Sequence, residues 1–187
     1  ETLIEKALEI LSTEGLGAMQ ARRVAQLAGC SVGAIYNVFP DLDELILRAN
    51  ALTLKRVKAH EREALAALPA TATRSERAMA LAMAYVDFAF RHETAWRSLF
   101  DYRLTNKKPY PAWYHEAQAD ALSVLDATMP SALAGADPEA EATRLRLERT
   151  TWAAVHGVVA TNMDSRLEER SRAEIEAQVR LLMLVRL

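Results

Sequence analysis

Apolar positions recur at helical spacing along nearly the whole chain. Leu3, Ala7, Leu8, Ile10 and Leu11 share one helical face, and Gly15 and Gly17 then supply the backbone freedom at which a helix ends. A second short helix is predicted over residues 20–28, closed by Gly29. Ser31 is placed to cap a third over residues 32–38, because its hydroxyl can accept from free amides of the first turn. Pro40 and Asp41 break that helix and open a fourth, with Asp41 or Asp43 near its positive end. The fourth pattern continues through Leu45, Leu52, Leu54 and Val57 to residue 68. It spans roughly 27 residues, on the order of 40 Å at about 1.5 Å per residue.

Residues 69–73 read as a loop, followed by a helix over 75–91 with Met79, Ala82, Met83, Val86 and Phe90 as its apolar face. Further helices are predicted over 93–104, 112–129, 138–163 and 171–187. The break at 106–111 and a small-residue loop at 130–138 separate them. Neither an alternating strand pattern nor an internal repeat is present. The expected fold class is therefore all-α, with about nine helices. A boundary near residue 48, inside the fourth helix, divides a head of short helices (1–48) from a bundle of longer ones (49–187). A continuous helix shared by both parts implies mechanical coupling between them.

Composition narrows the class. The 187 residues are 51% apolar and 26% charged, enough for one generous core or two small ones, and this excludes intrinsic disorder. Cys30 is the one cysteine, so no intrachain disulfide can form. The richest apolar run, 181–185, falls far short of the ~18 residues of a membrane span, and no signal peptide opens the chain. A cytoplasmic protein with no membrane partner is expected.

The net charge of −2 gives no sign of a nucleic-acid binder. Its distribution changes that picture. Residues 1–50 carry four basic groups (Lys6, Arg22, Arg23, Arg48) against seven acids (Glu1, Glu5, Glu9, Glu14, Asp41, Asp43, Glu44). Between Gly15 and Pro40, however, there are two arginines and no acid. The chain opens inside a helical pattern without an initiator Met, so a preceding segment, with any basic arm it carries, is expected.

The most informative stretch is 23–40, Arg-Val-Ala-Gln-Leu-Ala-Gly-Cys-Ser-Val-Gly-Ala-Ile-Tyr-Asn-Val-Phe-Pro. A helix-turn-helix needs a small residue where its helices cross, a glycine in a left-handed turn and an aliphatic residue locking the second helix. Ala25, Gly29 and Ile35 meet these needs in order. With Tyr36, Phe39, Leu45 and Leu47 in their places, residues 1–50 resemble the DNA-binding domain of TetR-family transcriptional regulators, and the rest follows that family's helix order. The recognition helix would offer Val32, Gly33, Ala34, Tyr36 and Asn37. Small residues at 33 and 34 allow close approach, Val32 and Ala34 suit a thymine methyl, and Asn37 suits an adenine edge. Tyr36 would meet a phosphate, as would Gln20, Arg22, Arg23 and the Ser31 turn. Three departures stand out. Met19-Gln20 replaces the usual Thr or Ser cap, Val38 stands where a His is frequent, and Asp41-Leu42-Asp43-Glu44 lacks a phosphate-binding Lys. Weaker non-specific binding and a shallower salt dependence are expected.

In the C-terminal part, Trp152-Ala-Ala-Val-His156-Gly157 resembles the Trp…His-Gly signature of one C-terminal domain type in the same family. Trp152, His156, Val159 and Met163 fall on one helical face, and the small residues Ala153, Gly157 and Ala160, with Asp164, on another. The last helix adds Ile175, Gln178, Val179, Leu182 and Val185. The resemblance implies a homodimer through the last two helices, matching near-palindromic operators. It also implies a small-molecule effector, with Tyr85, Phe88, Trp96, Phe100, Trp113, Trp152 and His156 as candidate lining and Met79, Met83 and Met163 as adaptable filler.

No phosphate loop, Gly-x-Ser-x-Gly or zinc spacing occurs, so neither catalysis nor a metal or other cofactor is expected. Glu168-Glu169 reads as a solvated face. The reading that follows is a ligand-responsive DNA-binding repressor. The alternative is an all-helical ligand-binding protein with weakened or lost DNA binding, motivated by the acids opening the fourth helix.

Overall fold

The computed structural model describes residues 2–105, 108–128, 137–164, 167 and 170–186. Among these lie nine α-helices: α1 Thr2–Thr13, α2 Ala21–Ala28, α3 Val32–Val38, α4 Leu42–Ala66, α5 Arg74–Arg91, α6 Glu93–Asp101, α7 Ala112–Leu122, α8 Pro138–Asn162 and α9 Arg172–Arg186. The all-α architecture follows the sequence pattern closely, and the differences have local causes. α6 stops at Asp101 instead of residue 104, because Tyr102 turns extended (φ −68°, ψ 133°). α7 gives way at Ser123 to a 3-10 segment, Ser123–Thr128, whose Thr128 hydroxyl donates to the Leu125 carbonyl (2.7 Å). The loop expected over 130–138 and the Glu168-Glu169 pair lie outside the described residues, apart from Asp137 and Pro138 at the start of α8.

The turns form for the reasons the sequence gives. Gly29 adopts the left-handed conformation (φ 67°, ψ 31°), where a Cβ would cost free energy, and its N–H closes α2 onto the Ala25 and Gln26 carbonyls. Ser31 Oγ accepts from the Ala34 amide (3.2 Å) and caps α3. Asp41 Oδ1 accepts from the Glu44 amide (2.9 Å) at the opening of α4.

The chain divides into two compact units, one of Glu1–Val57 with Arg91–Ala121 and the other of Lys58–Phe90 with Leu122–Leu187. The break falls within α4, beyond the boundary expected near residue 48, and the first unit takes in a segment that the sequence reading assigned to the bundle.

In the first unit, Leu8, Ile10 and Leu11 of α1, Val24 and Ala25 of α2, Ile35 of α3 and Leu45, Ile46 and Ala49 of α4 close into one core. α6 packs against α1. The polar ties between α4 and the 91–121 segment are buried. Asn50 Nδ2 donates to the Ser98 carbonyl (3.2 Å), and Ser98 Oγ donates to Asn50 Oδ1, both residues being 1% exposed. Asp43, a helix-opening acid by sequence, is buried as well. It accepts from the Tyr102 hydroxyl and from Thr105 through its amide (3.1 Å) and hydroxyl (2.7 Å).

In the second unit, Leu81, Val124 and Leu125 form a core with Leu65, Leu122 and Trp152 against it. α8 and α9 pack together, and α9 turns Ile175, Val179 and Met183 inward. α5 departs from expectation. Its buried set is Ala78, Leu81, Ala82, Ala84, Tyr85, Val86, Phe88 and Ala89, while Met79, Met83 and Phe90 are half-buried. A helix covered on more than one side hides most of its circumference, so a single-stripe reading misplaces its face.

Ser98→Ala removes the hydroxyl that answers the buried Asn50 carbonyl. It should cost about 1–3 kcal/mol, read as a lower urea midpoint at unchanged slope.

Candidate nucleic-acid interface and effector cavity

α3 is divided cleanly between packing and exposure. Ile35 (0% exposed) and, just past the helix, Phe39 are buried, whereas Val32, Gly33, Tyr36, Asn37 and Val38 are exposed and Ala34 is half-buried. Tyr36 and Val38 stand 50% and 63% exposed, so an aromatic ring and a β-branched side chain face solvent from a seven-residue helix. A Cβ on Gly33 would meet only Ser31 Oγ, at 3.7 Å, an ordinary contact. Nothing inside this unit therefore requires glycine there.

α2 begins with no side-chain cap on its first amides. Gln20 is the N-cap in extended conformation, and its exposed side chain makes no capping bond. The free N–H groups and positive end of a helix favour an anion such as a phosphate. Arg22 is exposed. Arg23 differs, since its guanidinium is engaged by Glu14 (Nη2–Oε1 2.8 Å).

The acids opening α4 are engaged within the unit. Asp41 pairs with Lys108 (2.9 Å), and that contact together with the Glu44 amide holds its carboxyl below the usual range. Asp43 is saturated by Tyr102 and Thr105; burial and then Asp43 push the Tyr102 phenol up, so it remains a donor. Glu44 pairs with Arg48 (2.8 Å), whose guanidinium also lies 3.8 Å above the Trp113 ring. Lys108 brings a cation from a distant part of the sequence to the opening of α4, where the motif alone shows only acids.

The second unit contains a cavity. Its walls are Glu61 of α4, Ala78, Leu81, Ala82 and Tyr85 of α5, Leu125 and Thr128 of the 3-10 segment, Thr151, Trp152 and Val155 of α8, and Met183 of α9. It offers about 30 Å³ to the centres of water-sized molecules, room for two or three waters at about 10–15 Å³ each. Behind the wall, the Tyr85 hydroxyl and His156 Nδ1 share a hydrogen bond (2.8 Å), and the His156 ring stacks on Trp152 (centroids 5.1 Å, 8°). Burial lowers the His156 pKa, which favours the neutral ring.

The structure divides the expected lining set. Tyr85 and Trp152 line the cavity, His156 stands behind both, and Phe88 is buried against His60 (centroids 6.0 Å) in the same unit. Trp96, Phe100 and Trp113 belong to the first unit, where Trp96 (2% exposed) meets Phe100 edge-on and Trp113 lies under Arg48. Besides the aliphatic, threonine and Met183 side chains of the wall, the sequence reading missed its one acid, Glu61. Burial raises its carboxyl to about 8. Its signal was present in the register, since Leu45, Ala49, Thr53, Val57 and Glu61 form a buried rail along α4 with one residue every fourth position.

The outward faces of α8 and α9 also differ from expectation. Ile175 and Val179 are covered by their own chain, while Leu181 (63%) and Leu184 (70%) are exposed. On α8, Ala153 is exposed, and a Cβ on Gly157 would meet nothing within 4 Å. Among the described residues no helix is long and apolar enough to cross a membrane, and no cluster of His, Cys, Asp and Glu is placed to hold a metal.

Residues 3–49 match the family profile of bacterial regulatory proteins of the tetR family, and residues 78–184 match that of the tetracyclin repressor-like C-terminal domain. No curated protein sequence matches the chain. Among solved structures, a protein of unknown function from Rhodococcus sp. RHA1 superposes with a TM-score of 0.74 at 20% identity, covering 100% of this chain and 93% of that one. A tetR-family transcriptional regulator from Streptomyces coelicolor gives 0.70 at 18% identity, covering 98% and 78%. The transcriptional regulator FadR from Bacillus subtilis, in complex with stearoyl-CoA, gives 0.65 at 15% identity, covering 97% and 96%. At these identities the structural likeness shows the fold.

Glu61 also sets a pH dependence. Its folded-state pKa lies above its ordinary value of 4.5, so the folded chain holds the proton more tightly than the unfolded chain does. The resulting stability is fully present below pH 4.5 and is lost as pH rises toward about 8. The loss should approach roughly 1.4 kcal/mol per pH unit within that window. Glu61→Gln should flatten this slope in urea unfolding followed at several pH values.

Proposed function

The chain belongs to the TetR family of bacterial regulatory proteins, and from that premise we propose that it is a homodimeric repressor whose grip on operator DNA is released by a small apolar or amphipathic effector. The observation that carries the reading is the exposed face of α3: small at 33 and 34, apolar at 32, hydrogen-bonding at 36 and 37, and free of acids. Such a face suits the floor of a major groove, where Val32 and Ala34 reach thymine methyls and Asn37 an adenine edge. The uncapped start of α2, Gln20, Arg22 and the Ser31 turn then meet phosphates on either side. With Arg23 held by Glu14 and Asp41 holding Lys108, few cations remain free to displace counterions, which supports a shallow salt dependence.

Dimerisation follows from the outward stripe of α8 and α9. Ala153 and Gly157 let a partner helix approach closely, while Leu181 and Leu184 expose apolar surface that a partner would cover. The cavity beside α4 is the effector site in this reading. FadR holds stearoyl-CoA on the same fold, which supports a bundle-bound effector here. α4 carries a cavity wall at Glu61 and core residues of the DNA-reading unit at Leu45 and Ile46, so it is the element through which effector binding acts.

A duplex from the region upstream of the gene should give a discrete retarded complex at low salt; no specific complex with any such duplex would leave the ligand-binding reading alone. Gly33→Ala should stabilise the fold by about 0.5–1 kcal/mol while weakening that complex at least several-fold. Arg22→Ala should weaken binding to all sequences alike and reduce the log–log salt slope by about 1. Leu181→Glu combined with Leu184→Glu should give a monomer by light scattering.

A further inference from the structure

We propose that the effector received by this cavity carries a basic nitrogen, and that the Glu61 carboxylate is its counter-charge. This rests on the reading of the cavity as the effector site and names the chemistry of that site. Glu61 is 6% exposed and lines the cavity, and among the described residues no hydrogen bond or ion pair reaches it. The other polar groups of the wall have uses for their protons. Thr128 and Thr151 donate to their own helical carbonyls, of Leu125 (2.7 Å) and Leu147 (2.6 Å), and the Tyr85 hydroxyl is joined to His156. Apart from the Trp152 indole N–H, the remaining wall is apolar. A guest in this cavity therefore meets one chargeable group, and that group is an acid.

The same inventory excludes an anionic guest. Among the described residues, no Lys, Arg or His lines the cavity. One residue before Glu61 on α4, His60 is held by Asp87 (3.0 Å), which also holds Arg172 (2.9 Å). A carboxylate or phosphate would enter largely apolar surroundings without a cation to answer it. The stearoyl-CoA of FadR is thus a poor guide to the guest of this chain, although the folds agree.

A neutral guest fails for a different reason. An acid on the buried rail between Val57 and Leu65 costs stability in the empty protein, because the few waters that the cavity admits solvate its charge less well than bulk solvent does. For a purely apolar guest, leucine at 61 would serve better. An ammonium group makes the acid useful, since in a desolvated cavity the ion pair is worth far more than it is in water. The Trp152 ring, also in the wall, adds a favourable face for a cation. The proton balance is simple. The ammonium arrives charged, the Glu61 O–H bond breaks, and one proton leaves to the buffer for each amine bound.

Titration calorimetry of the full chain with octylammonium, octanol and octanoate tests this, since the three probes share a tail and differ in charge. Octylammonium should bind at least tenfold more tightly than the other two, with release of about one proton near pH 6 measured across buffers of different ionisation enthalpy. Glu61→Gln should abolish the preference for octylammonium over octanol. The wild-type proton count stands whether or not that variant folds. Octanoate matching the amine, amine binding without proton release, or a folded Glu61→Gln that retains the preference would each overturn the proposal while leaving the effector cavity in place. If none of the three binds, the effector-cavity reading falls together with it.

Discussion

The buried exchange of hydrogen bonds between Asn50 and Ser98 is the constraint on which the first unit is organised. Each residue lends the other a donor and an acceptor in a region that water does not reach. Breaking the pair means stranding polar atoms, whereas keeping it fixes α6 against α4 in one register. Asp43, Tyr102 and Thr105 extend the same logic toward the opening of α4. The helix-turn-helix is therefore the exposed corner of a larger unit whose far wall comes from residues 91–121. That wall holds α4, and α4 holds α3 through Ile35 and Leu45.

Much of this was legible from the sequence because the DNA-reading part is built from local rules. Gly29 sits in the left-handed turn, Ser31 caps α3, Asp41 caps α4, and Ile35 and Phe39 point inward. Each of these depends on neighbours within a few residues, which periodicity and capping chemistry capture. The pairings across long separations were illegible. Asp41 and Asp43 read only as acids at the positive end of a helix, yet their partners lie some sixty residues away in Lys108, Tyr102 and Thr105. The aromatic candidates divided for the same reason, because helical spacing shows that Trp96, Phe100 and Trp113 are inward but not which core they enter.

Glu61 illustrates a subtler failure. In its local sequence, His-Glu-Arg-Glu, it looks like part of a charged, solvated face. The register of α4 says otherwise, since counting fours from Leu45 places it on the buried rail. Composition within a short window and phase along a long helix gave opposite readings, and packing follows the phase. The structural neighbours could not have supplied this residue's chemistry. Likeness near 20% identity carries the fold, and what the cavity prefers depends on which side chains this chain places in its wall.

The clean division of α3 has a consequence for how such a protein changes over generations. Its inward residues, Ile35 and the following Phe39, maintain the fold, and its outward residues at 32, 33, 36 and 37 stand exposed outside that core. Substitutions at the outward set are thus nearly free of any penalty in folding. Duplicated copies of the gene could drift to new operator sequences one exposed side chain at a time, without passing through an unstable ancestor.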